Sequence, residues 1–268
     1  MDIEPEDMRD HLERQAGAGG TGEVESIEPG AAAPKAGRPE PGLDDDALKA
    51  LLASIAASYF SLRIGLALLA LAFPILVVLL AGRTLDSISA YYYLADRGAG
   101  FFGFAPRDVF VGVLCAVGAF LWLYKGYRTR ENVALNFAGL AAAAIALFPT
   151  DLGEAGTFVG TVHQVAAVSF FLAIAFVCLF EARTTLRLIE DAAVRRMYRM
   201  AYRLLGAAMV LLPAAVVLIH NVGGLEASYT GAGGVVFWLE LVAIYVFALF
   251  WIVKSVEIRT IKAQKPSG

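Results

Sequence analysis

The stretch IGLALLALAFPILVVLLAG, residues 64–82, runs nineteen residues without a charge between Arg63 and Arg83. At about 1.5 Å of rise per residue, a helix of that length crosses the roughly 30 Å hydrocarbon core of a bilayer. Five further apolar stretches follow at 109–126, 133–149, 157–180, 201–221 and 233–253, and the basic residues are sorted around them. Of the 22 Lys and Arg, six precede the first stretch, three lie around the second junction, six around the fourth and four at the end of the sixth. Only Arg83, Arg97 and Arg107 lie on the other side. By the positive-inside rule, this pattern predicts six transmembrane helices with both termini cytoplasmic. The fold class is therefore all-α, a polytopic membrane helix bundle.

Composition leads to the same place. Hydrophobic residues make up 58% of the chain, charged residues 18%, and the mean hydropathy is +0.64, outside the ordinary soluble range. The net charge of -3 comes from an acidic N-terminal region while the junctions between crossings are basic, a balance that implies the lipid bilayer as partner and no nucleic acid. Cys115 and Cys178 fall inside apolar stretches, where a thiol acts as a small hydrophobe. Met1 leads into acidic and small residues rather than a basic segment followed by an apolar one, so the first crossing is expected to direct insertion.

Residues 1–43, with Gly, Ala and Pro runs and almost no aromatics, carry too little apolar surface to offset chain entropy and read as a disordered cytoplasmic tail. Residues 44–63 begin with Asp44, Asp45 and Asp46 and continue with Leu48, Leu51, Leu52, Ile55 and Tyr59 at helical spacing. They read as an amphipathic interfacial helix, or equally as an extension of the first crossing. The transmembrane domain then occupies 64–255, and 256–268 form a cytoplasmic tail. Gly139 and the Ala141–Ala144 run predict a thin third helix buried among its neighbours, and Gly112/Ala116 and Gly156/Gly160 read as packing seams. Pro74 and Pro213 interrupt crossings one and five. Trp122, Trp238, Trp251, Tyr124 and Tyr127 fall near crossing ends, as interfacial anchors do.

Polar residues inside an apolar bundle are costly unless partnered, so they are the candidates for function. Glu240 lies within the sixth crossing, His163 at similar depth in the fourth, and His220 and Asn221 close the fifth; Asn136 in the third reads as an interhelical hydrogen-bond donor. Asp108, Asp151, His163, His220 and Glu240 are expected to converge on an outward-facing polar cluster, with Arg107 and Tyr92 at its rim. His163 and His220 with a carboxylate offer ligands for a divalent metal, although no His-x-x-x-His pair is present. The simpler alternative is that His163 hydrogen-bonds Glu240 or a backbone carbonyl and ties crossings four and six together. The arginines of 181–200 either orient the chain or bind anionic headgroups.

Ser87-Ile88-Ser89-Ala90-Tyr91-Tyr92-Tyr93, Arg107-Asp108-Val109-Phe110-Val111-Gly112, Ala146-Leu147-Phe148-Pro149-Thr150 and Val162-His163-Gln164-Val165-Ala166-Ala167 together resemble bacterial six-helix membrane proteins of unknown function. They are more remotely similar to the DRAM-like and Frag-type families. This chain has Ala90 where that pattern usually carries an acidic residue. The resemblance implies a six-helix fold over about residues 60–255, a polar cluster around Asp108, Asp151 and His163, and no established reaction.

Two functions remain open at this point. In the first, the chain is a non-enzymatic transporter, lipid-interaction protein or sensor whose polar funnel admits a lipid or small solute, with no cofactor. In the second, it is a membrane-embedded hydrolase acting on lipid at the outer leaflet, with His163 and His220 holding a metal that activates water. The missing paired-histidine motif favours the first. The charge sorting and the Ala, Gly and Arg richness fit a bacterial inner membrane.

Overall fold

The computed structural model describes residues 45–95, 103–151, 156–222 and 234–264, without the side chains of Asp45, His220, Asn221, Val222, Lys262 and Ala263. The expected tail 1–43 lies outside the described residues, as do Asp96 and Arg97. Among the described residues six long helices follow one another: α1 Asp45–Ala81, α2 Pro106–Leu123, α3 Thr129–Leu147, α4 Phe158–Phe176, α5 Ala192–Val222 and α6 Val235–Gln264. A π turn at Val177–Glu181 and a 3-10 turn at Ala182–Leu188 prolong α4. No strand occurs among the described residues.

Five of the six, α1, α2, α4 with its continuation, α5 and α6, are long and apolar enough to cross a membrane, as in a multi-pass membrane protein. The expected third crossing, α3, falls short of the other five. Arg130, Glu131, Asn132 and Asn136 lie within its 19 residues and dilute its apolar character. It is nonetheless deeply packed, with Leu135, Ala138, Gly139, Ala141, Ala142 and Ala146 buried, as the small-residue run predicts.

Helix boundaries follow the breakers rather than the hydropathy. No Gly or Pro occurs between Asp45 and Gly65, so α1 runs for 37 residues, about 55 Å, and residues 45–63 are continuous with the first crossing. After Gly234 the next helix breaker is Pro266, so α6 continues through most of the expected 256–268 tail. Helix α5 starts nine residues before the expected crossing at 201, because Asp191 caps it: its Oδ1 accepts the amides of Ala193 at 2.7 Å and Val194 at 3.3 Å.

Consecutive helices pack side by side from α2 to α6. Helix α1 closes the bundle, meeting α2 through Phe73 and Phe110 and α6 through Arg259, which stacks on Phe60 at 4.2 Å. The tightest seam joins α2 and α3. A Cβ on Gly118 would lie 2.8 Å from the Gly139 carbonyl oxygen, and one on Gly139 would lie 2.7 Å from that of Gly118. The expected seams at Gly112 and Gly156 are not formed, since a Cβ at either position meets open space. Gly160 does sit in close contact, but with the Asp151 carboxyl rather than with another helix.

Two of the expected interfacial anchors are core residues instead. Trp251, only 1% exposed, packs edge-on against Tyr124, Phe247 and Phe250. Tyr124 is equally buried because Arg63 reaches inward and donates from Nε at 2.9 Å and Nη2 at 2.7 Å to its hydroxyl. Trp122, Trp238 and Tyr127 are exposed.

Candidate functional site

A cavity of about 1060 Å³ lies in the middle of the bundle, and all six helices contribute to its wall. Its deeper part is apolar, formed by Ala70 and Phe73 of α1, Val117 of α2, Ile145 of α3, Phe170 of α4 and Phe247 of α6. Its mouth is polar. Arg83, Asp86, Ser87 and Ser89 come from the segment after α1, Asp151 from the segment after α3, His163 from α4 and Glu240 from α6.

The segment after α1 enters the mouth because α6 holds it there. The Phe237 amide donates to the Asp86 carbonyl at 2.9 Å, and the Glu240 carboxylate accepts the Ile88 amide at 2.6 Å and the Ser87 hydroxyl at 2.8 Å, both on Oε2. A 3-10 turn, Ser89–Tyr93, follows. Tyr91 fixes it from inside, fully buried, donating its hydroxyl to the Arg83 carbonyl at 2.9 Å and accepting the Leu85 amide at 3.2 Å. Burial pushes the Tyr91 phenol up, so it stays protonated as the donor that this bond requires. The Tyr93 phenol is likewise raised, by lost hydration and by Asp151 and Tyr92 nearby, and it donates to the Thr150 carbonyl at 2.5 Å.

Ser89 is the hinge of the polar mouth. Its hydroxyl lies 3.2 Å from Glu240 Oε1 and 3.1 Å from His163 Nε2. His163 is 5% exposed, and its other nitrogen, Nδ1, is 2.7 Å from the Phe148 carbonyl oxygen. A carbonyl can only accept, so Nδ1 carries a proton and Nε2 faces Ser89. His163 and Glu240 are thereby joined through one serine hydroxyl, and α4 and α6 are tied to the segment after α1. The backbone-carbonyl bond expected of His163 is present; the bond to Glu240 is relayed rather than direct.

Of the remaining sequence candidates, Asp151 lines the mouth, while Asp108, Arg107 and Tyr92 are not among the residues that line the cavity. Asp108 does not face the funnel; it is exposed at the start of α2, where Oδ2 accepts the Ala105 amide at 3.2 Å and caps that helix. Asp151 lines the mouth and also braces the turn before α4, accepting the amides of Gly156 at 3.0 Å and Thr157 at 3.3 Å and the hydroxyl of Thr157, which itself caps the helix by accepting the Gly160 amide at 3.0 Å. Arg107 and Tyr92 pair with each other outside the cavity wall, through a 2.9 Å hydrogen bond and a guanidinium 4.4 Å from the ring centre. His220 lies in the last turn of α5, and its side chain lies outside the described residues. Asn136 keeps a buried Oδ1 that accepts no hydrogen bond among the described residues. Both ring nitrogens of His163 are engaged, and among the described residues no three His, Cys, Asp or Glu side chains group closely enough to hold a metal ion.

Sequence reasoning missed a second polar cluster, at the opposite end of the bundle from the mouth. Lys254 donates to Thr185 Oγ1 at 2.7 Å and to Glu257 Oε2 at 3.0 Å, while Glu257, with no exposed surface, also accepts the Thr185 hydroxyl at 2.5 Å and the Tyr202 hydroxyl. Glu131 accepts the Tyr127 amide at 2.8 Å close by. This knot joins α5, α6 and the turn after α4. The signal was present, since Lys254 and Glu257 flank Ser255 and Val256 on a helix with no breaker, but Lys254 also fits the basic flank of a crossing. No family model matches the chain, and neither a curated protein nor a solved structure matches it.

Proposed function

We propose that the chain is a non-enzymatic multi-pass membrane protein that binds an amphipathic lipid or small solute in its central cavity. The observation that carries this reading is the polarity of the cavity: its volume of about 1060 Å³ is at the upper end of the usual ligand-site range of roughly 300–1,000 Å³, with polar groups at the mouth and hydrocarbon below. The charge sorting supports both termini being cytoplasmic, which directs the mouth toward the outer face of a bacterial inner membrane. Both ring nitrogens of His163 are occupied by the Phe148 carbonyl and the Ser89 hydroxyl, an arrangement that favours binding over hydrolysis. The test is solvent extraction and mass spectrometry of the protein purified in a non-lipid detergent, beside Ala167→Phe, which adds a ring to the cavity wall. An occupant at about one per chain, depleted in the variant, supports the reading; an empty wild type that takes up no lipid or solute overturns it.

A further inference from the structure

We infer that the cavity takes a lipophilic cation, an ammonium or phosphonium group with apolar substituents, in exchange for one proton that Glu240 and His163 hold between them through Ser89. The inference rests on the proposed binding function of the same cavity and adds the chemical class of its occupant.

Nδ1 of His163 is committed to the Phe148 carbonyl. Between Nε2 and Glu240 Oε1 stands the Ser89 hydroxyl, which has one proton to give. If Glu240 is protonated and His163 neutral, the carboxyl donates to Ser89 and Ser89 donates to Nε2. If the proton sits on His163, Nε2 donates to Ser89 and Ser89 donates to the carboxylate. Both arrangements satisfy every contact and differ only by a shift of protons along the serine. Remove that shared proton and two acceptors face a single hydroxyl hydrogen, with a partly buried negative charge left on Glu240.

A cation is what replaces a proton at such a site. The charged groups around it tilt the same way: Asp86 and Arg83 from the segment after α1 offset each other, and Asp151 from the segment after α3 adds a further carboxylate, with the Tyr93 hydroxyl beside it. From α1, α2, α3 and α5, the described residues on the cavity wall carry no charge. The wall itself fits a cation with apolar substituents, because Phe73, Tyr93, Phe110, Phe170, Phe171 and Phe247 all line it. Aromatic faces attract cations and repel anions through the ring quadrupole, most strongly where water is excluded.

The experiment is calorimetric titration of tetraphenylphosphonium into the full-length protein in nanodiscs, repeated in two buffers of different ionisation enthalpy. Tetraphenylborate, of similar shape and opposite charge, serves as the comparison. The expected result is saturable phosphonium binding with about one proton released per cation, and an apparent Kd that rises about ten-fold for each pH unit of acidification. Glu240→Gln is expected to abolish the release and weaken binding about ten-fold or more. The proton count on the unaltered protein stands whether or not that variant folds. Phosphonium binding without proton release, equal binding of tetraphenylborate, or undiminished binding by folded Glu240→Gln overturns the exchange. If neither ion binds while extraction finds a lipid or solute in the cavity, the exchange fails and the binding function stands; if nothing is found by either route, both fail.

Discussion

Gly118 and Gly139 cross backbone to backbone, each occupying the space in which the other's carbonyl oxygen would meet a Cβ, at 2.8 and 2.7 Å. No flexible side chain can move aside there, so the spacing between α2 and α3 is fixed by the absence of side chains. Gly139→Val is therefore expected to lower stability by about 1–3 kcal/mol, the usual cost of overpacking, visible as a fall in Tm of the detergent-purified protein. Gly112→Ala, in the same helix pair but facing open space, should instead be neutral or raise stability by up to about 1 kcal/mol through helix propensity. Equal effects at the two positions would remove the seam.

Lys254 and Glu257 form a fully buried ion pair, so single and double replacements should differ in a characteristic way. Lys254→Met leaves Glu257 charged and unpaired and is expected to cost about 3–5 kcal/mol. Adding Glu257→Gln to Lys254→Met should recover most of that loss, since an unpaired charge no longer remains. Thermal unfolding of the single and double variants decides it, and strictly additive losses would contradict the pairing.

Glu240 satisfies the Ile88 amide and the Ser87 and Ser89 hydroxyls together, whereas Ser89 serves only as a bridge. Glu240→Ala should thus be the more damaging, about 1–3 kcal/mol for each buried donor it strands, with Ser89→Ala costing about 1 kcal/mol. Nitrogen NMR of the His163 ring supplies a second readout. The proton on Nδ1 should persist in Ser89→Ala, because the Phe148 carbonyl that holds it is untouched.

Asp151 braces the turn before α4 while lining the mouth, and the two roles separate experimentally. Asp151→Ala is expected to cost about 1 kcal/mol in lost hydrogen bonds and to accelerate amide hydrogen exchange at Gly156 and Thr157, whose amides it accepts. Exchange at Ile88, held by Glu240, should be unaffected. Acceleration at both places would show a general loosening of the mouth instead of a local loss at this turn.

The helices were legible because uninterrupted hydrocarbon has only one use at such lengths, and their ends were not, because hydropathy measures the lipid and not the helix. Lys49 or Lys254 interrupts a hydropathy window without interrupting a backbone, so α1 and α6 run on past the expected limits. His163 and Glu240 stood out as polar groups amid apolar neighbours, and the structure joins them at one mouth. Ser89 did not stand out, since a loop serine carries no sequence cost, and only the fold of its segment onto α6 shows what it connects. Lys254, Glu257 and Tyr202 were hidden for the opposite reason: at the end of a crossing, charge is expected and tyrosine is ordinary. Trp251 shows the same ambiguity, as an aromatic near a boundary reads as an anchor until its neighbours Tyr124 and Phe250 enclose it.

The cavity is open at the Glu240 end, and beyond its apolar floor lie Tyr124, Phe250 and Trp251, each about 1% exposed and in ring contact through Trp251. Glu240 and Lys254, at the two ends of this arrangement on α6, are fourteen residues apart, about 21 Å along the axis. A voltage imposed across a membrane falls mainly where the dielectric is lowest, so the buried aromatic layer would carry more of it than the open mouth. A charge arriving at Glu240 therefore traverses little of the roughly 2.3 kcal/mol per 100 mV that a full crossing would involve. Occupancy of the mouth is accordingly expected to depend only weakly on membrane potential.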